Sequence, residues 1–241
     1  MTIHFFDWDG TIVSGRFVRT AYTQHCKAIG IVMTNEEQET IEKTGNFWTP
    51  IKERFEKVLP DRSHEEVHAT ADRLFWHFYG EELKKEIRTK GQNAYVPGMY
   101  GLIERLSTLG HQVSIATLAR EDMVREFLKA TGLSKYITHV FGQTEFFKPS
   151  KQAMLRSALE LSLPKHLLED PIHYAIGEHF FTNATMTGDR PSDITAGKSV
   201  GARTYFAKWG NGILNGVLPT ACVNNAEELY EHLIAEDLPE Q

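Results

Sequence analysis

Only two cysteines occur in 241 residues, Cys26 and Cys222, too few and too scattered for a disulfide framework or a zinc site. That scarcity fits a reducing compartment, so a cytoplasmic location is expected. No apolar run approaches the roughly 20 residues that a membrane-spanning helix requires, and no membrane partner is expected. No block of lysine or arginine is present and the formal charge is −6. A nucleic-acid partner is therefore not expected either. The chain enters a strand-like run at once, which leaves no room for a signal peptide ahead of it. Internal repeats and low-complexity tracts are lacking, and the eleven histidines are scattered, read as solvated or core side chains.

The composition that remains is that of a globular chain. Hydrophobic residues make up 41%, enough for a full core plus a smaller second unit. From about Val96 onward, strand-like runs alternate with amphipathic helices, the signature of a parallel α/β sheet. Leu102, Ile103, Leu106 and Leu109 recur at helical spacing, and Gly110 closes that helix. Residues 113–117 read as a strand ending in the Thr117 hydroxyl. A helix carrying Met123, Val124, Phe127 and Leu128 follows, then a short strand near Val140 and a helix over roughly 151–161. Strands are predicted over 184–188, 202–206 and 221–223, with Asn225 capping a last helix that runs through Ile234.

Residues 15–92 behave differently, being rich in charged and aromatic residues with no convincing strand. Thr34-Asn-Glu-Glu37 and Ser63-His-Glu-Glu66 both fit a capping box, and Thr49-Pro50 fits a cap followed by a first-turn proline. Phe17, Val18 and Ala21 suit one helix, Ile51, Phe55 and Val58 a second, and Val67, Ala71, Leu74, Phe75 and Phe78 a third. The expected organisation is a Rossmann-like core from residues 1–14 and 93–241, with an α-helical cap domain over 15–92 inserted between its first two strands.

The most telling stretch is His4-Phe-Phe-Asp7-Trp-Asp9-Gly-Thr11. A short apolar run reads as a buried strand, and ligands of parallel sheets gather at the carboxyl ends of such strands. Two acids placed there are costly to bury unless a cation or a proton-transfer role offsets the desolvation. Alternation along an extended chain points Asp7 and Asp9 the same way and Trp8 the other. Three more segments at predicted strand ends carry reactive groups: Thr117, Lys148-Pro149, and Gly188-Asp189-Arg-Pro-Ser-Asp193.

Set in this order around an α/β sheet, the four segments resemble the motifs of the haloacid dehalogenase superfamily, over nearly the whole chain. Val96-Pro-Gly98, Asp193-Ile-Thr-Ala-Gly197 and Trp209-Gly210 also look like its phosphatase and phosphomutase branch. The resemblance implies that Asp7 attacks phosphorus and becomes transiently phosphorylated. It makes Asp9 the general acid and base. It implies Mg2+ held by Asp7, the backbone carbonyl of Asp9, and a carboxylate of Asp189 or Asp193. Thr117, the backbone at Leu118 and Lys148 would grip the phosphate oxygens. Lys151 competes with Lys148, but the proline directly after Lys148 matches the family better. Two departures stand out. Leu118-Ala-Arg120 follows Thr117, where Arg120 adds a charge the usual site lacks, and the interval from Lys148 to Asp189 is long.

In this branch the helical insert acts as a lid whose inner loop contacts substrate. Position in the chain makes Lys43-Thr-Gly-Asn-Phe-Trp48 that loop, with Lys43, Thr44 and Trp48 as candidate contacts and Arg16 as a further anion contact at the hinge. The reading is a magnesium-dependent phosphatase of a small phosphorylated metabolite, similar to phosphoglycolate phosphatases. A phosphomutase resembling β-phosphoglucomutase, or a non-catalytic phosphate- or partner-binding module, is the alternative. On oligomeric state the sequence is silent.

Overall fold

The computed structural model describes residues 2–38, 52–162 and 183–235. Six strands form one parallel sheet: β1 (Ile3–Phe6), β2 (Gln112–Arg120), β3 (His139–Gln143), β4 (Ala184–Gly188), β5 (Arg203–Ala207) and β6 (Ala221–Val223). Their order is β3-β2-β1-β4-β5-β6. The chain thus starts in the middle of the sheet, builds outward on one side, and returns to build on the other. The crevice where the order reverses lies at the carboxyl end of β1, the usual ligand position in such sheets.

Helices cover both faces, and β1 shows why. Phe5 and Phe6 are fully buried but on opposite sides, as period-2 alternation requires. Phe6 joins a core with Trp8, Ile115, Phe127 and Leu229, which helices α4 (Met99–Thr108), α5 (Glu121–Thr131) and α8 (Ala226–Ala235) supply. Phe5 joins Met154, Leu155, Met186 and Ala196, from β4 and helices α6 (Lys151–Ser162) and α7 (Pro191–Ser199). The Asn225 cap is formed, its side chain accepting from the Glu228 N–H at 2.9 Å.

The described elements of the insertion between β1 and β2 are helical, with α1 (Arg16–Ala28), α2 (Lys52–Val58) and α3 (His64–Lys90). Both capping boxes form. Thr34 Oγ1 accepts from the Glu37 N–H at 3.2 Å while the Glu37 carboxylate accepts from the Thr34 N–H at 2.7 Å. Ser63 and Glu66 make the same exchange at 3.3 and 3.0 Å. Each cap is worth about 1 kcal/mol.

The buried face of α3 differs from the sequence expectation. Val67 and Ala71 pack with Tyr22 and Cys26 of α1, but Trp76, Tyr79 and Leu83 then turn into the core cluster around Trp8. Leu74 and Phe78 are only half-buried. A 27-residue helix changes partners along its length, so its apolar stripe drifts from one neighbour to the next. Val58 is exposed rather than part of a helical core. Lys43, Thr44, Trp48, the Thr49-Pro50 cap and much of the Lys148–Asp189 interval (163–182) lie outside the described residues. Among the described residues no helix is long and apolar enough to cross a membrane.

Candidate active site

Strand register brings the predicted segments to one edge. Phe6 pairs with Ile115 of β2 and with Thr187 of β4, so Asp7, Thr117 and Asp189 follow within two residues of level positions. Asp7 extends the ladder by donating its N–H to the Thr187 carbonyl at 2.8 Å. Beyond it the chain folds into a tight turn in which the N–H groups of Thr11, Ile12 and Val13 all converge on the Trp8 carbonyl. The Trp8 ring points away into the core, edge-on to Phe127 at 5.3 Å.

Asp7, Asp189 and Asp193 are each buried, and they offer carboxylate oxygens within 4.8 Å of one another. Among the described residues no other group of three His, Cys, Asp or Glu side chains comes together in this way. Lys151 enters the same space: its ammonium lies 2.7 Å from Asp7 Oδ1 and also bonds Asp193 Oδ1. Burial alone pushes this ammonium toward neutrality, but the Asp193 and Asp7 carboxylates outweigh it and hold it charged. Asp193 Oδ2 accepts from the Arg190 N–H at 3.0 Å, so both of its oxygens are engaged. Asp189 Oδ2 accepts from the Asn211 N–H at 2.9 Å, whereas Asp189 Oδ1 is buried with no hydrogen-bond partner.

The backbone closes around Asp189. Gly10, at φ 82°, lies so close that an added Cβ would stand 2.5 Å from Asp189 Oδ2. A Cβ at Gly210 would overlap the Asp189 side chain as well. Only glycine permits that approach together with the left-handed turn at residue 10. The Trp209 indole fixes the second loop by donating to the Thr11 carbonyl at 3.0 Å.

Three buried acids against one ammonium leave excess negative charge, and an orphaned carboxylate oxygen faces into the cluster. A hard divalent cation suits that donor set. Asp189, whose Oδ1 has no partner, and Asp7, which Lys151 engages at one oxygen only, are the residues best placed to hold it, whereas both oxygens of Asp193 are engaged.

Asp9 is half-buried at the mouth of the cluster. Tyr79, from α3, donates its hydroxyl to Asp9 Oδ1 at 2.8 Å and accepts from the Trp8 indole N–H at 3.1 Å. Burial, then the neighbouring Asp7 carboxylate, raises the Asp9 carboxyl to about 7, against the pull of Tyr79 and Arg190. Asp9 can therefore exchange a proton near neutral pH, as a group that must both give and take one requires.

The sequence of residues 4–207 matches the model of the haloacid dehalogenase-like hydrolase family. The chain belongs to this family. It is 27% identical to a phosphoglycolate phosphatase of Aquifex aeolicus, with 96% of each chain covered. It is 25% identical to the pyrophosphatase PpaX of Bacillus thuringiensis strain Al Hakam, covering 93% of this chain and 92% of that one. In fold it is similar to the β-phosphoglucomutase of Clostridium difficile, with a TM-score of 0.65 at 17% identity over 98% of this chain and 96% of that chain.

Two expected site residues, Lys148 and Arg16, stand elsewhere than expected. The lysine that meets the aspartates is Lys151, not Lys148. Lys148 lies in the loop ahead of α6 and pairs with Asp72 of α3 at 2.9 Å, in a partly exposed setting. Lys151 opens α6, and the buried face of that helix runs through residues 151, 154, 155, 158 and 159. That period was readable in the sequence and aims Lys151 at the sheet edge. Arg16 also departs from expectation: it is exposed, and the α1 residues lining the cleft are Val18, Arg19, Tyr22 and Thr23. Arg120 turns aside to grip Asp122 with two hydrogen bonds of 3.1 and 2.7 Å. Thr117 is buried at the sheet edge, its hydroxyl accepting from the Ala119 N–H at 3.0 Å, while Leu118 is exposed.

Tyr79, Arg190 and Asn211 were not singled out by sequence reasoning. Tyr79 had a signal, since it continues the Val67–Ala71–Phe75 spacing by one turn. One histidine pair does have ligand spacing, His64-Glu-Glu-Val-His68 at the start of α3. There the His64 ring bonds Glu56 at 2.9 Å, and the pair gathers no third ligand among the described residues.

Proposed function

We propose that this hydrolase is a phosphatase that cleaves a small phosphomonoester by way of a phosphoryl group carried transiently on Asp7. One observation carries the reading. A buried carboxylate with one oxygen fixed by a buried ammonium stands two residues from a second carboxyl, which Tyr79 orients at 2.8 Å and which burial and the Asp7 charge push up to about 7.

Lys151 takes Asp7 Oδ1, which orients the carboxylate and leaves its other oxygen for in-line attack on phosphorus. As the bond from phosphorus to the ester oxygen breaks, Asp9 gives that oxygen its proton. The substrate alcohol leaves and an acyl phosphate remains on Asp7. Asp9, now a carboxylate, takes a proton from water as that water attacks phosphorus, which releases inorganic phosphate and restores both acids. Thr117 and Lys151 flank the transferring group, where a hydroxyl and an ammonium suit phosphate oxygens. Asp7 and Asp189 would hold Mg2+, with the Asp9 carbonyl as the expected third ligand. When bound, the ion supplies positive charge that screens two approaching anions from each other.

The relatives named phosphoglycolate phosphatase and pyrophosphatase support a small, highly anionic substrate. The test is phosphate release from a panel of small phosphomonoesters with magnesium, on the wild-type protein and Asp7→Asn. Turnover by the wild type and its loss in the variant, with unchanged circular dichroism, is the expected result. Activity that survives the substitution removes Asp7 from the role, and a wild type silent across the panel overturns the reading.

A further inference from the structure

A cleft runs between α1 and the Asp9–Gly10 turn, bordered on the core side by Asp189 and Arg190 and on the helical side by Val18, Arg19 and Tyr22. Arg190 is the unusual member. Its Nη1 is buried and has no hydrogen-bond partner among the described residues. A guanidinium keeps its proton at any physiological pH, so this donor cannot be relieved by ionisation. The neighbouring Asp9 and Asp189 carboxylates attract the guanidinium but give Nη1 no hydrogen bond. Asp9 Oδ1 accepts from Tyr79, Asp189 Oδ2 accepts from the Asn211 N–H, and Asp193 Oδ2 takes the Arg190 backbone N–H instead. Arg19 brings a second guanidinium to the same cleft, with Nη2 on Gln38 at 3.3 Å.

Arg190, and Arg19 on the helical side of the cleft, bring positive charge beyond what the phosphoryl group itself needs, since that group lies with Asp7 and Lys151. They suit an anion on the other side of the scissile bond. A planar guanidinium offers paired N–H groups that match the oxygens of a carboxylate or phosphoryl group. Val18, Tyr22 and Met33 give the helical side of the cleft an apolar flank.

We propose that Arg190, with Arg19 beside it, binds a second anionic group on the leaving side of the substrate, and so selects phosphoesters whose alcohol portion is itself charged. This rests on the phosphatase reading and narrows its substrate class to doubly anionic molecules.

The test compares kcat/KM for three probes: 2-phosphoglycolate, pyrophosphate, and ethyl phosphate, which has no second anion. The proteins are the wild type, Arg190→Gln, Arg190→Lys and Arg19→Gln. In Arg190→Gln the preference for at least one doubly anionic probe over ethyl phosphate falls by roughly tenfold or more, mainly through KM, as for loss of one charge-assisted hydrogen bond. Arg190→Lys restores part of the preference, because it keeps the charge and loses the fork. A fall confined to 2-phosphoglycolate identifies a carboxylate site, and one confined to pyrophosphate a phosphoryl site. Preferences that stay within about twofold of wild type for both probes in Arg190→Gln and Arg19→Gln overturn the inference alone. A wild type that turns over none of the three overturns the phosphatase reading and this inference with it.

Discussion

The Tyr79 hydroxyl donates to Asp9 at 2.8 Å from a helix that belongs to the insertion, while Asp9 belongs to the turn after the central strand. The same hydroxyl receives the indole N–H of Trp8, the residue between the two acids. The orientation of Asp9 is thereby tied to the position of α3.

Tyr79→Phe removes a donor that stabilises the Asp9 carboxylate, so the Asp9 carboxyl should titrate above its present value of about 7. Because the first step needs Asp9 protonated, the alkaline limb of kcat/KM is expected to move to higher pH, while the plateau falls as the acid loses its fixed orientation. A pH–rate profile of the variant checks both. An alkaline limb that stays in place argues that Asp9 is not the group being titrated.

Lys151 and Lys148 should separate cleanly. Lys151→Ala strands Asp7 and Asp193 without their counter-charge in a buried site, a loss of about 3–5 kcal/mol by analogy with broken buried pairs, together with loss of turnover. Lys148→Ala removes a partly exposed pair with Asp72, worth about 0–1 kcal/mol, and should leave phosphate release nearly intact. Urea denaturation and phosphate assays on both variants decide the assignment.

Asp9 should also limit stability. Its carboxyl is raised in the folded state, from an ordinary 3.8 to about 7, so folding favours the protonated form. Stability contributed this way is present below about pH 4 and is lost as pH rises toward 7. Asp9→Asn is therefore expected to raise Tm by about 2–4 °C at pH 8 without metal, on the scale of 1 kcal/mol in a chain of this size. The gain should vanish near pH 4. Calorimetry at the two pH values measures it, and an equal gain at both points to packing instead.

Magnesium should stabilise the fold as well as support turnover. Ligand bound only to the native state adds about 2.7 kcal/mol at one hundred times its Kd. A magnesium-dependent rise in Tm is expected for the wild type and should shrink in Asp189→Asn, since that substitution alters the carboxylate whose Oδ1 has no protein partner. Chelation should abolish phosphate release, with recovery on adding magnesium back.

Much of this was legible in the chain because the relevant signals are local. The apolar run before Asp7, the capping residues Thr34, Ser63 and Asn225, and the strand-helix alternation after Val96 each depend on a few neighbouring residues. What escaped depends on packing between distant segments. Tyr79 reaches Asp9 across 70 positions, and Arg190 acquires meaning only beside α1. The proline directly after Lys148 matches the family pattern, but the helical period of residues 151–159 turns Lys151 toward the acids. The period was the better physical guide, since it states which way a side chain points.

The central placement of β1 has a consequence during synthesis. Its two partners, β2 and β4, begin at Gln112 and Ala184, so β1 leaves the ribosome well before either neighbour. Asp7 meets Lys151 and Asp189 only once β4 has emerged. A nascent chain that stops short of β4 therefore carries Asp7 but not its surroundings, and the buried acidic cluster forms only when β4 joins the sheet.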